Sequence, residues 1–252
     1  MPLDLSRIRA SFPGREIRWF ETIGSTMTEA SRLAAEGCAS GTVVVADEQT
    51  AGQGRHGRQW HSESETGLYA SVVLRLSLPV DTLPVVTLAL GLAVQDAITR
   101  ATGIVCDLRW PNDVMAGGKK CAGILVQLVD GAIVAGIGIN VNHSGFPEEI
   151  GATATSLRIV SGRAHSREAL LSHLLEAVEV YCRLLVEEGK EQLLRLYCRS
   201  SSFAQNRRVV VHQEREILEG TTEGLDESGF LILRKTDGTR TLILAGGVRP
   251  VE

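Results

Sequence analysis

Several kinds of chemistry find no footing in this sequence. Its cysteines are five and scattered (Cys38, Cys106, Cys121, Cys182 and Cys198), with no C-x-x-C pair. That argues against a zinc site and reads as reduced cytosolic thiols. There is no G-x-S-x-G elbow and no G-x-x-x-x-G-K-S/T loop, so neither a serine hydrolase nor a P-loop enzyme is indicated. His143, His165, His173 and His212 stand singly, without H-x-x-x-H spacing, and read as surface or internally satisfied residues. No apolar run approaches the ~20 residues that a membrane-spanning helix needs. The richest, Val85 to Val94, ends at Gln95 and Asp96. The segment Met1 to Phe12 mixes charged and apolar residues and has no secretory h-region. Positive charge is not in excess either. A formal charge of −4 and a pI near 5.9 speak against bulk binding to nucleic acid.

What remains is an ordinary globular composition over 252 residues, 44% hydrophobic and 22% charged. That length holds one large domain, or one large and one small. Glu16 to Glu21 reads as a strand. Thr26-x-x-Glu29 has the pattern of a capping box that opens a helix ending at Gly37. Thr42 to Ala46 is a buried β-branched strand. Leu68 to Leu76 is another strand, interrupted by Ser71 and Arg75. Pro84 starts a helix that runs to about Thr102. Val105 to Trp110 is a strand stopped by Pro111, and Ala116-Gly117-Gly118-Lys119 is a turn. Ala122 to Val129 and Ala132 to Val141 form a hairpin about Asp130-Gly131. Helices follow over Arg167 to Glu188 and from about Lys190 to Arg199. Beyond Asn206 come short strands with tight turns (Arg208–His212, Glu216–Thr222, Phe230–Arg234, Thr239–Leu244), the texture of a small β-barrel. A domain boundary is expected near residue 205.

Five segments carry candidate chemistry. The first is the loop Gln49-Thr50-Ala51-Gly52-Gln53-Gly54-Arg55-His56-Gly57-Arg58-Gln59-Trp60, with three glycines, two arginines and no acid after Gln49. Such a loop approaches an anion closely and offers it planar cationic donors. Trp60 is either core or a platform for a base. In Arg109-Trp110-Pro111-Asn112-Asp113 the proline ends a strand, where ligands commonly bind. Asp113 there is either a metal-side carboxylate or part of an Asn-Asp turn. Lys120 enters the apolar run Cys121-Ala122-Gly123-Ile124-Leu125, and its ammonium needs an anion. Lys119 lies further into the turn and fits a solvent-facing residue better. In Gly136-Ile137-Gly138-Ile139-Asn140-Val141-Asn142 the alternate glycines bare one face, either for something flat or for a packed helix. Asn140 and Asn142 share a side. Gly24-Ser25-Thr26 places hydroxyls at a helix N-terminus, as a cap, as ligand contacts or as both.

Taken in order, Gly24-Ser25-Thr26, Gln49 to Trp60, Arg109 to Asp113, Lys120 to Leu125 and Gly136 to Asn142 resemble the bacterial biotin protein ligases over nearly the whole chain. The resemblance implies an α+β fold: a class II-synthetase-like mixed-sheet catalytic domain over 1–204 and a small SH3-like β-barrel over 205–252. It implies ATP-dependent formation of biotinyl-5′-adenylate, with Mg²⁺, and transfer of the biotinyl group to a lysine of the biotin carboxyl carrier protein of acetyl-CoA carboxylase. By position, Ser25, Thr26, Gln49, Gln53, Gly54, Arg55 and Lys120 match biotin contacts. Arg58, Trp60, Asn112 and Asn140 match adenylate-side groups, and Asp113 a metal-side one. Lys120 and Arg55 are the expected catalytic cations, Lys120 bridging the biotin carboxylate and the α-phosphate. Gln53 stands where a basic residue is frequent, and Arg109 where lysine is. Few residues precede Gly24, too few for a winged helix-turn-helix, so a monofunctional, cytoplasmic enzyme without DNA or membrane partners is expected. An exposed strand of the catalytic sheet leaves pairing with a second copy open.

Overall fold

A computed structural model describes residues 3–213 and 216–251. Helix α1 (Ser6–Ser11) precedes strand β1 (Ile17–Ile23), helix α2 (Thr26–Ala35) and strand β2 (Val43–Gln49). Strand β3 (Leu68–Leu74), helix α3 (Leu83–Thr102), and strands β4 (Asp107–Arg109), β5 (Asp113–Ala116), β6 (Lys119–Val129) and β7 (Ala132–Ile139) follow. Helices α4 (Glu148–Gly151), α5 (Leu157–Ser161), α6 (Arg167–Glu187) and α7 (Lys190–Ser200) complete the first unit. The second holds β8 (Gln205–His212), β9 (Ile217–Leu225), β10 (Leu231–Lys235), β11 (Arg240–Ile243) and β12 (Gly247–Pro250).

The large sheet is mixed, in the order β1-β2-β3-β7-β6-β5-β4. Only β1 and β2 pair in parallel, joined by the crossover helix α2. The pleat decides what each side of this sheet meets. Val43, Val45, Val72 and Leu74 face the main core with α3 and α6. Val44 and Val73 face a smaller core under α2, where Met27, Ala30, Leu33 and Ala34 pack. On β7 the odd-numbered residues Ile133, Ala135, Ile137 and Ile139 enter the main core. Ala132 and Val134 lie under α2. The same alternation puts Gly136 and Gly138 on the α2 side.

Asp130 (φ 45°) and Gly131 (φ 74°) make the β6–β7 turn, as the Asp-Gly dipeptide predicts. The proposed capping box is not formed. Ser25 is the N-cap without a side-chain bond. Glu29 pairs instead with Arg18 and Arg32, and Thr26, the first helical residue, bonds elsewhere. Val80–Thr102 is long and apolar enough to cross a membrane by length and composition, at mean hydropathy 1.5, against the expectation of no such run. Its apolar residues, from Val85 to Ile98, are buried in the main core.

The C-terminal strands form one antiparallel sheet, β11-β10-β9-β8-β12, the small SH3-like unit expected. Its Ser228-Gly229 turn seats on α3. Gly229 has φ 82°, and a Cβ there would stand 3.1 Å from Leu88. The Gly229 carbonyl accepts the indole N–H of Trp110 at 2.9 Å, which ties this unit to the residue just past β4.

A buried ion pair fastens α6 to the sheet. Arg167 donates to Asp47 Oδ1 at 2.6 Å, with both side chains at most 5% exposed. The Asp47 carboxylate also accepts the Trp19 indole N–H and the Leu3 amide. Removing one partner leaves an uncompensated charge. Arg167→Met is therefore expected to cost roughly 3–5 kcal/mol in urea denaturation. The paired change Asp47→Leu/Arg167→Met, which removes both charges, should cost clearly less.

Candidate functional site

The site lies on the α2 side of the sheet, beyond the N-terminus of that helix, and its floor is defined by missing side chains. One cross-strand row runs Arg109, Asp113, Gly123, Gly138, Tyr69 through β4, β5, β6, β7 and β3. At its centre the Trp60 indole lies against bare backbone. A Cβ on Gly138 would stand 2.5 Å from Trp60 Cε2, and one on Gly123 would stand 2.9 Å from Trp60 Cζ3. A Cβ on Gly136 would meet the Met27 sulfur at 2.6 Å. Something flat does lie on the alternate glycines, and it is the protein's own tryptophan.

Lys120 reaches this face through an irregularity that alternation does not predict. Val114 pairs with Ala122, but the next residue, Met115, pairs with Lys120. Cys121 is thus the extra residue of a β-bulge, and bulges re-aim side chains. Cys121 and Ala122 both enter the main core, and Lys120 turns to the glycine side, its Nζ 5.4 Å from the Trp60 ring centre. The anion its ammonium meets is Asp113, at 2.5 Å. Arg109 takes the other carboxylate oxygen at 2.7 Å. Burial opposes ionisation of Asp113, but the two cations outweigh it and hold its carboxyl below the ordinary value.

This corrects the metal reading of Asp113. Both of its oxygens are engaged by cations, and a divalent ion there would meet two positive charges at close range. The residues present do not make a magnesium site.

The glycine-rich loop folds over the floor as a lid. Gln53 and Gln59 bridge across it, the Gly54 amide donates to the Arg58 carbonyl at 2.7 Å, and the Trp60 amide to Gly52 at 2.9 Å. Gln53 reaches back to the Thr28 hydroxyl on α2. Arg55 points inward and donates to Asn112 Oδ1 at 2.9 Å. Burial depresses the guanidinium's affinity for its proton, against the attraction of Asp113. Asn112 is fixed in turn by donating to the Ile124 carbonyl at 3.0 Å.

A polar end closes the other side. Gln49 Oε1 accepts from both the Thr26 amide (2.8 Å) and the Thr26 hydroxyl (3.0 Å). The Ser71 hydroxyl donates to Thr26 Oγ1 at 2.9 Å. The Ser25 hydroxyl is buried and has no hydrogen-bond partner among the described residues. Ser71 appeared in the sequence only as a break in an apolar strand.

The cavity between them is narrow, about 50 Å³, and partly open, and Thr26, Gln49, Gln53, Gly54, Arg55, Trp60, Asn112 and Lys120 are among its walls. A second cavity of about 220 Å³ lies between α3 and the C-terminal unit and shares Arg55 with it. Two adenylate-side candidates, Arg58 and Asn140, do not line this cavity. Arg58 is exposed on the lid. Asn140 is buried with its amide on the Thr155 carbonyl, and Asn142 exchanges hydrogen bonds with the His165 backbone. Both asparagines shape the chain leaving β7. His143 is internal rather than at the surface. It is wholly buried, and burial, helped by nearby His61, pushes its imidazole down to about 4.

Comparison with known proteins identifies the family. A profile of the Biotin/lipoate A/B protein ligase family matches residues 19–144, and one of the Biotin protein ligase C terminal domain matches residues 205–248. The biotin–acetyl-CoA-carboxylase ligase of Mycobacterium tuberculosis is 33% identical over 98% of this chain and 94% of its own. This chain belongs to the biotin protein ligase family. The bifunctional ligase/repressor BirA of Bacillus subtilis is 32% identical over 94% of this chain and 75% of its own. The Aquifex aeolicus biotin protein ligase, solved in complex with biotin and ATP, superposes with a TM-score of 0.81 at 32% identity, over 93% of this chain and 97% of that one. In this biotin protein ligase the glycine floor and the lid tryptophan form one packing unit. Gly138→Ala is expected to expel the indole. In protein labelled with 5-fluorotryptophan, the Trp60 fluorine resonance should move while those of Trp19 and Trp110 stay. An unmoved Trp60 resonance would contradict the packing described.

Proposed function

We propose that this chain activates biotin with ATP, forming biotinyl-5′-adenylate and pyrophosphate, and passes the biotinyl group to a lysine of a biotin carboxyl carrier protein such as that of acetyl-CoA carboxylase. The observation that carries the reading is the convergence of Lys120 and Arg55, one from the strand floor and one from the lid, on a single cavity. When the biotin carboxylate attacks the α-phosphate, two anions meet and charge builds on the phosphoryl oxygens. Cations held in place beforehand relieve that charge without reorganising. Asp113 holds the Lys120 ammonium on one side and Asn112 holds the Arg55 guanidinium on the other. In the second step the carrier's lysine amine attacks the acyl carbonyl. An amide C–N bond forms, the bond to the phosphate oxygen breaks, and AMP leaves with its electron pair. The ureido end of biotin would take the unpartnered Ser25 hydroxyl and the Gln49–Thr26 pair.

Ligand sites for drug-sized molecules run to about 300–1,000 Å³, far above the about 50 Å³ present. Trp60 and its lid must therefore lift to admit biotin and then settle over the adenylate, keeping water from the anhydride. Magnesium belongs in this scheme to the nucleotide's own phosphates, not to Asp113. The reading assigns the catalytic unit to 1–204 and the SH3-like unit to 205–252. It places the enzyme in the cytoplasm, in keeping with five free cysteines, and gives it no DNA partner, in keeping with a formal charge of −4. Strand β1, at an edge of the large sheet, is where a second copy would add a strand.

Biotin-dependent exchange of pyrophosphate into ATP tests the proposal, with lipoate as the rival acid. Exchange is expected with biotin and not with lipoate. Lys120→Ala should lower it about 10²–10³-fold. Exchange driven by lipoate alone, or an undiminished rate in Lys120→Ala, would overturn it.

A further inference from the structure

Three donor side chains gather at the far end of the lid, outside the cavity. They are His61, Glu63 and His143, and their ligand atoms all lie within 4.8 Å of one another. We propose that they form a binding site for one transition-metal ion of the zinc or cobalt(II) type.

The hydrogen bonding around His143 favours one tautomer of its ring. The Tyr69 hydroxyl donates to the Glu63 carbonyl at 3.1 Å and accepts the Glu63 amide at 3.0 Å. Its hydrogen is spent, so at its 3.3 Å contact with His143 Nε2 it accepts, and Nε2 carries the proton. The lone pair then sits on Nδ1, which is buried and has no partner among the described residues. A neutral imidazole with its second nitrogen anchored is the state in which histidine ligates metals. The ring is also held in place. Phe146 stacks on it at 5.1 Å, and the Ser156 hydroxyl donates to its backbone carbonyl at 2.7 Å.

Two imidazoles and a carboxylate are the protein ligands of many open zinc sites, with water in the fourth position. Imidazole donors disfavour magnesium and calcium, which take oxygen. Ligands on one zinc ion stand about 3.3 Å apart, from bond lengths near 2.0–2.1 Å in a tetrahedron. His61 and Glu63 therefore need to close by up to about 1.5 Å. His61 is part-exposed and Glu63 exposed, so both have room to do so. The separation of His61 from His143 along the chain hides the site from any spacing motif.

The ion would have a mechanical effect. His61 follows Trp60, and His143 lies just past β7, so a bound metal cross-links the return of the lid to the strand that carries Gly138. Tyr69, which orients His143, is paired with Gly138 across β3 and β7.

The test is titration of the full chain, without biotin or ATP, with zinc by calorimetry and with cobalt(II) by visible absorption. Its failure is thus separate from failure of the ligase reading. One equivalent is expected to bind with a tetrahedral cobalt spectrum, unaffected by millimolar magnesium. His61→Ala and Glu63→Gln, both at the surface, should each weaken it more than tenfold and erase the spectrum. Tyr69→Phe should weaken it about 10–100-fold. No saturable first equivalent, or one bound equally by wild type, His61→Ala and Glu63→Gln, would overturn the proposal.

Discussion

The site depends on a strip of sheet that carries no side chains. Gly123 and Gly138 face each other across β6 and β7, and Gly136 lies one step along. At each, a Cβ would come within 2.9 Å of Trp60 or Met27, closer than real carbon contacts allow. Elsewhere the same face is filled by α2 with Met27, Ala30, Leu33 and Ala34. Where the helix stops, the glycines leave a trough one indole deep. Everything functional is arranged around it. The lid lays Trp60 in the trough, and the bulge at Cys121 turns Lys120 to its edge. The Gln49–Thr26–Ser71 chain closes the far end.

The second constraint is charge. Arg55, Lys120 and Arg109 gather about a single carboxylate, Asp113, so the cluster is net positive before any substrate arrives. Isolated buried charges cost several kcal/mol each, and the local acceptors offset that cost. Asp113 serves Lys120 and Arg109, and Asn112 serves Arg55. These acceptors also fix where the cations stand. An incoming phosphate meets them already oriented, which is the condition under which electrostatic stabilisation contributes most to a rate.

The element order was largely legible because patterning and tertiary structure agree along most of the chain. The β-branched run Thr42 to Ala46, the Asp130-Gly131 turn and the apolar face of Arg167 to Glu188 each had one reading. The failures have particular causes. Glu29 suited a capping box, but Arg18 and Arg32 bid for the same carboxylate, while Gln49 claimed Thr26. Asp113 suited a metal because its cations are invisible until β4, β5 and β6 are paired. Asn140 and Asn142 lie on the expected segment, and their amides donate to the backbone carbonyls of Thr155 and His165. His143 looked solitary because its partners arrive from another segment. Of the candidate residues, Thr26, Gln49, Gln53, Gly54, Arg55, Trp60, Asn112 and Lys120 do meet at one cavity. The β-bulge that delivers Lys120 has no local signature, since Cys121 reads as one more apolar strand residue.

The division of labour between strand and lid follows from these positions. Lys120 is held by backbone on both sides. Its amide donates to Thr153 and its carbonyl accepts from Thr155, so its Cα is pinned to the sheet and only the side chain adjusts. Arg55 rides on a loop whose described contacts to the rest of the protein include the Trp60 packing, the Gln53–Thr28 bond and the Asn112 bond. Each is of the strength of a single hydrogen bond or packed ring, around 1 kcal/mol net for the hydrogen bonds. A ligand that fills the trough displaces Trp60 but offers Arg55 an anion in place of a neutral amide, a stronger partner. The same event that opens the lid thus supplies the attraction that closes it again, with Lys120 unmoved beneath. The tryptophan changes its seat together with the lid, and the bare glycine floor lets it leave without disturbing the sheet.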